Sequence, residues 1–193
     1  SVITIASYDD ETGKYTVKNI DSWGKTDLMP TTGRIMDLII KNGIQKITVD
    51  SSGVGAGVYS RLEELRKEGK IKCDIIAYKG GQSPTVPAAQ EKFLNIKAEQ
   101  YWRLRTLFEE GRILIPRHRQ LIDQLNKMKW EFTSSRKIKI CDPGTKKDDT
   151  AEQKSPDFSD SLMLCVSATG KPKLVFGSLD KPLHKPVFKP QRT

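Results

Sequence analysis

The stretch KITVDSSGVGAGVYSRLEELRKEG, residues 46–69, decides the fold class. A short apolar run ends in Asp50, as expected for a buried β-strand. A turn with Gly53, Gly55 and Gly57 follows, and it opens into a charged, amphipathic segment that predicts a helix. A strand, a glycine turn and a helix in this order are typical of α/β proteins. The stretch has two interpretations: a dinucleotide cradle, or an aspartate that does the chemistry.

The glycine spacing argues against the dinucleotide cradle. The pattern G-x-G-x-x-G, counted from Gly53, requires a third glycine at position 58, where this chain has Val58 and places Gly57 one residue early. Asp50 would also bring negative charge to the pyrophosphate. No G-x-x-x-x-G-K-[ST] loop occurs in the chain, which excludes a phosphate-loop nucleotide site. We therefore favour a role for Asp50 as a metal ligand.

Composition narrows the class of protein further. A length of 193 residues fits one domain with its own core, and a net charge of +9 favours an acidic polymer such as nucleic acid as partner. Three widely spaced cysteines and two histidines predict neither a disulfide framework nor a zinc site. No apolar run approaches the roughly 20 residues of a membrane span. The first residues, SVITIASYDD, lack the features of a secretory signal.

The elements around residues 46–69 predict a mixed β-sheet flanked by helices, which is the α/β class. Alternating residues and a glycine turn predict an antiparallel hairpin over residues 1–23. Apolar residues at helical spacing predict one long helix over residues 91–111. Residues 1–170 are predicted to form one domain, and residues 171–193 a basic, proline-containing tail in an extended conformation.

Two further acids lie late in the chain, in the block SPDFSDSL. Asp157 and Asp160 are spaced i, i+3 on a predicted helix, which places both on one helix face. Asp50 ends a strand at the sheet edge where α/β proteins place their sites, and the glycines after it would let a substrate backbone approach. Since Mg²⁺ needs more than one ligand, the three acids together predict a metal site. The alternative is that Asp157 and Asp160 have no metal-binding role and only stabilise the N-terminus of a helix, where the helix dipole favours negative charge.

Three blocks in this order carry a family resemblance: ITVDSSGVGAGVYSRL, NIKAEQYWRLRTLFEEGRILIP and SPDFSDSL. They resemble the C-terminal nuclease domain of the large terminase subunit of tailed bacteriophages, over roughly residues 1–168. The resemblance implies an RNase H-like fold. It also implies a metal-dependent endonuclease that cuts concatemeric double-stranded viral DNA during genome packaging, with two Mg²⁺ or Mn²⁺ ions in the full site.

The resemblance also implies site residues. Asp50 matches the family's acid at the end of the strand before the glycine loop, and Asp157 and Asp160 fall on acidic positions of the last helix. The family's first acid lies on an initial strand, whereas this chain starts at the second strand, so the first strand is apparently missing. Asp9 and Asp10, at the predicted hairpin tip, are poor substitutes. We therefore expect a weak or inactive nuclease.

The partners implied are double-stranded DNA, the portal protein, the small terminase subunit and an ATPase domain that normally precedes this one, all in the cytoplasm of the infected host and without a membrane. A basic segment before the late acids is the predicted DNA-binding element, although a solvated charged loop is the alternative. Its residues are Arg136, Lys137, Lys139, Lys146, Lys147 and Lys154. Two other functions stay open: a catalytically incompetent DNA-binding or assembly fragment, and another RNase H-like nuclease of the resolvase or integrase type.

Overall fold

The computed structural model describes residues 1–24, 27–141 and 156–168. The helices are α1 (Leu28–Asn42), α2 (Gly55–Lys67), α3 (Pro87–Lys92), α4 (Ile96–Glu109), α5 (Arg119–Lys127) and α6 (Asp157–Ser167). The strands are β1 (Val2–Asp9), β2 (Lys14–Ser22), β3 (Lys46–Asp50), β4 (Asp74–Tyr78), β5 (Ile113–Leu114), β6 (Lys129–Phe132) and β7 (Ile138–Cys141). The α/β class predicted from the sequence is confirmed. None of the helices in these ranges is both long and apolar enough to cross a membrane.

The predicted N-terminal hairpin is confirmed. β1 and β2 pair antiparallel, with Asp9 opposite Lys14 across the turn, and β5 adds to β2 in parallel. The Asp9 carboxylate accepts hydrogen bonds from the backbone N–H and the hydroxyl of Thr12 and from the backbone N–H of Glu11. These bonds, first the one from the Thr12 hydroxyl, lower the pKa of Asp9. Asp9 therefore shapes the hairpin turn; that it is a poor substitute for the family's first acid stays a prediction.

β3 and β4 form a second, parallel pair, and helix α2 connects them. Lys46 lies opposite Asp74 and Asp50 lies opposite Tyr78, so both strands end at the same level. Helices α1 and α2 pack against this pair over a buried apolar cluster of Ile35, Ile39, Leu62, Leu65, Ile71 and Cys73. Since the carboxyl ends of parallel strands share one edge, Asp50 and Tyr78 mark the edge at which a site is expected.

A cavity of about 880 Å³ separates the two sheets. Within the described ranges, β1 pairs only with β2 and β3 pairs only with β4, and residues of both β1 and β3 line the cavity. Helix α6 contributes Ser161, Leu164 and Cys165 to the lining. Thr48 also lines it, and its hydroxyl is buried without a hydrogen-bond partner in the described part of the chain. In the described part of the chain, the cavity therefore lies between the sheet that contains β1 and the β3–β4 pair.

The long helix predicted over residues 91–111 is wrong as a single element. α3 ends at Lys92, and α4 begins at Ile96 after an N-cap at Asn95, whose side chain accepts a hydrogen bond from the Ala98 backbone N–H at 3.0 Å. Phe93, between the helices, instead forms a parallel bridge with Ile138. Asparagine is a strong N-cap residue, and here capping interrupts an otherwise helical periodicity.

Candidate metal centre

Asp50 is the last residue of β3, and its side chain is exposed. Its Oδ1 accepts a hydrogen bond from the Ser52 backbone N–H at 3.0 Å. The glycine turn that follows is tightly folded against it: a Cβ at Gly55 would lie 1.8 Å from the Asp50 carbonyl oxygen, and Gly53 has a φ of +53°. Any residue other than glycine at position 55 would therefore displace Asp50. The predicted role of Gly53, Gly55 and Gly57 in substrate approach stays a prediction.

Asp160, in the first turn of α6, is half-buried and held by two residues of α4. Its Oδ1 accepts a hydrogen bond from the Tyr101 hydroxyl at 2.6 Å and lies 3.4 Å from Lys97 Nζ. Lys97 and Tyr101 are spaced i, i+4, so they project from the same face of α4 toward α6. The Tyr101 oxygen also lies 3.1 Å from Ser159 Oγ. This network fixes the orientation of the Asp160 carboxylate.

Asp50 lies opposite Tyr78 in the β3–β4 pair, and α6, which carries Asp160, packs against β3. Burial is the first cause that raises the pKa of Tyr78, and the negative charges of Asp160, Asp50 and Glu99 raise it further. The Tyr78 hydroxyl has no hydrogen-bond partner among the described residues. Two carboxylates from separate elements, β3 and α6, thus act on one polar atom at the edge of the β3–β4 pair.

Asp157, the other predicted acid of α6, is exposed in the first turn of that helix. The backbone N–H groups of Phe158 and Ser159 donate to Gln124 Oε1 of α5, at 2.8 and 3.0 Å. The N-terminus of α6 is therefore capped by a side chain from another helix. Asp160 contacts Tyr101 and Lys97, whereas Asp157 is exposed, and the role of Asp157 as a metal ligand stays a prediction.

The candidate donor set consists of two carboxylates, those of Asp50 and Asp160. In the described part of the chain, no group of three or more His, Cys, Asp and Glu residues is arranged to hold a metal ion. Mg²⁺ is, however, commonly bound through one or two carboxylates, with water and substrate phosphates as the other ligands. Asp50 and Asp160 would supply such a pair. The two ions expected for the full site need more acids than these two.

The predicted DNA-binding residues lie only partly within the described ranges. Arg136 is exposed at the turn between β6 and β7, and Lys137 beside it is half-buried. Lys139 of β7 is exposed, and its Nζ lies 3.5 Å from Glu131 Oε1. Lys146, Lys147 and Lys154 lie outside the described residues, as does the tail over 171–193.

Sequence reasoning missed most of the residues around the two acids. Tyr101 packs in the core, and its hydroxyl also contacts Asp160. Lys97 was not singled out, although its i, i+4 spacing from Tyr101 was visible. Glu99 is buried and accepts hydrogen bonds from the backbone N–H and the hydroxyl of Thr85, which tie the segment after β4 to α4. No sequence pattern indicated that contact.

Comparison with known proteins gives matches in structure. No protein-family model matches the chain, and no curated protein matches it in sequence. The nuclease domain of the large terminase subunit gp2 of bacterial virus Sf6 matches with a TM-score of 0.63 and 20% identity, over 88% of this chain and 89% of that one. A mutant of that domain with manganese matches with a TM-score of 0.63 and 21% identity, over 86% and 87% of the two chains.

A second phage provides an independent match. The large terminase nuclease from thermophilic phage G20c, with bound magnesium, matches with a TM-score of 0.56 and 17% identity, over 86% of this chain and 74% of that one. At sequence identities this low, the matches show that the folds are similar and nothing more. The RNase H-like fold implied by the sequence resemblance is confirmed, and the chain shares the fold of the nuclease domains of phage large terminase subunits.

Proposed function

We propose that this chain is the metal-dependent endonuclease domain of a phage large terminase subunit, which cuts concatemeric double-stranded DNA during genome packaging in the host cytoplasm. The observation that carries the proposal is the placement of Asp50 at the end of β3, opposite Tyr78, and of Asp160 at the start of α6, which packs against β3. The fold supports it, since solved terminase nuclease domains with this fold carry manganese, calcium, magnesium or cobalt. The portal protein, the small terminase subunit and an ATPase domain are partners within the same proposal.

In this proposal Asp50 and Asp160 hold the divalent ion. Mg²⁺ or Mn²⁺, when bound, lowers the pKa of a water molecule and stabilises charge on the leaving oxygen of a phosphodiester. The chain's own residues set the geometry: the Ser52 N–H orients Asp50, and Tyr101 and Lys97 orient Asp160. With these two acids as the donor set, we expect weak divalent binding and slow cleavage.

Nicking of supercoiled plasmid in Mn²⁺ tests the proposed activity. The wild-type chain is expected to nick slowly, and Asp50→Asn is expected to abolish nicking while retaining DNA binding at low salt. Nicking that survives both Asp50→Asn and chelation of the metal would contradict the proposal. A folded wild-type chain that shifts DNA without nicking it would favour the second candidate, a DNA-binding or assembly fragment.

Charge removal at the β6–β7 turn tests the DNA interface. Replacing Arg136 and Lys137 with Gln should weaken binding to random-sequence DNA and reduce the slope of log K against log salt by about 2, because each phosphate contact releases close to one counterion. The measurement is fluorescence anisotropy across a salt series. The matched control replaces Lys41 and Lys67, exposed lysines in the last turns of α1 and α2, with Gln. If the slope of log K against log salt is the same in both double variants, the β6–β7 turn does not belong to the DNA interface.

A further inference from the structure

A lysine ammonium lies inside the candidate metal centre. Lys97 Nζ is 3.4 Å from Asp160 Oδ1 and 5.9 Å from the centroid of the Tyr101 ring. The pair is mostly withdrawn from solvent, with 22% of the Lys97 side chain and 29% of the Asp160 side chain exposed. A positive charge therefore sits beside one of the two carboxylates that would bind a divalent ion.

The fold fixes this lysine in place. Its backbone N–H donates to the Gly80 carbonyl at 3.2 Å, and the neighbouring Ile96 N–H donates to the Gln82 carbonyl at 2.8 Å. A Cβ added at Gly80 would meet Lys97 Cβ and Tyr78 Cε1, each at 3.6 Å, so the lysine stem and the Tyr78 ring flank that glycine. The backbone of Lys97 is thus anchored to the segment that follows β4, close to the ring of Tyr78.

The sign of its effect on metal binding follows from electrostatics. An ammonium and a divalent cation compete for the same carboxylate, and at a separation of a few ångströms in a partly buried site they repel each other. In the metal-free protein the same ammonium offsets the negative charge of Asp160. DNA changes the balance, because its phosphates offer the ammonium another anionic partner.

We propose that Lys97 is a resident counter-cation that keeps the divalent affinity of the centre low until DNA binds. This rests on the proposed nuclease function. When a DNA phosphate draws the ammonium away from Asp160, the carboxylate becomes available to the metal ion. Thermodynamic linkage then requires that metal and DNA each raise the affinity for the other by the same factor.

Titration calorimetry with Mn²⁺ alone tests the first part. Lys97→Met should bind Mn²⁺ at least about tenfold more tightly than the wild type, because the competing charge is gone. Lys97→Arg, which keeps the charge, should bind as the wild type does. The matched control is Lys92→Met, which makes the same substitution at a lysine whose ammonium lies over the rings of Phe93 and Trp102. If Lys97→Met does not fold, Lys97→Gln takes its place.

A short DNA duplex added to the same titrations tests the second part. DNA should tighten Mn²⁺ binding to the wild type by about the factor that Lys97→Met gains without DNA, and should add little to the variant. Unchanged or weaker Mn²⁺ binding by Lys97→Met, with binding still lost in Asp160→Asn, overturns the role of Lys97 and leaves the metal centre standing. An absence of Mn²⁺ binding in every variant overturns the metal centre and the inference with it.

Discussion

Asp160→Asn is expected to weaken Mn²⁺ binding by at least about 100-fold. Loss of a residue that only supports a metal ligand lowers metal affinity by up to about 100-fold, and loss of the ligand itself should cost at least as much. Asp157→Asn, the same substitution three residues earlier on α6, should change it by less than about threefold, since an exposed charge acts only through screened electrostatics. Calorimetric titration of both variants measures the difference. The prediction follows from the contacts of Asp160 with Tyr101 and Lys97 and from its effect on Tyr78.

Tyr101→Phe separates the loss of a ligand from the loss of its support. This variant keeps the buried ring and removes only the hydroxyl, so it should weaken Mn²⁺ binding less than Asp160→Asn does. Thermal unfolding in the presence of a chelator checks that all three variants fold. Equal losses in Asp157→Asn and Asp160→Asn would mean that both acids of α6 bind metal, and the assignment of Asp160 as the principal ligand would be wrong.

Gly55→Ala is expected to lower the free energy of unfolding by about 3 kcal/mol or more. The new Cβ would lie 1.8 Å from the Asp50 carbonyl oxygen, which is backbone and cannot move without displacing the end of β3. Urea denaturation should show a lower midpoint at an unchanged m-value. Any Gly55→Ala protein that folds should also bind Mn²⁺ poorly, because the substitution displaces the backbone of Asp50, a proposed metal ligand.

Gly57→Ala provides the matched control on the same helix. A Cβ at Gly57 would meet the Leu28 side chain at 3.4 Å, an ordinary packing distance. Alanine favours the helix over glycine, so this variant should range from unchanged to about 1 kcal/mol more stable. A Gly55→Ala protein as stable as Gly57→Ala would show that the turn after β3 is able to relax. The contact between position 55 and Asp50 would then not constrain the sequence.

The sequence predicts best where one periodicity governs a segment. Alternation over β1 and β2 and the glycine turn between them are local signals, and the hairpin follows from them. Asp50 at the strand end was predicted by the same local logic. The break at Asn95 was missed because the residues on either side keep a helical spacing, and the preference of asparagine for the N-cap decided the outcome.

The surroundings of the acids could not be predicted, because they depend on how helices pack. Whether Asp157 or Asp160 faces the sheet is set by the rotation of α6, and spacing alone leaves that rotation open. Lys97 reaches Asp160 only because α4 packs beside α6. Gln124 caps α6 from another helix. Such contacts join residues that are dozens of positions apart, so no short motif encodes them.

The cavity between β1 and β3 has a consequence for the behaviour of the protein in concentrated solution. A strand edge presents unpaired N–H and C=O groups, and proteins commonly protect such edges with lysine, proline or a covering element. The segment from Val2 to Tyr8 contains no charged residue and no proline. No strand among the described residues pairs with the edge of β1 that lines the cavity, so this edge is chemically suited to template intermolecular pairing, and we expect aggregation to proceed through it.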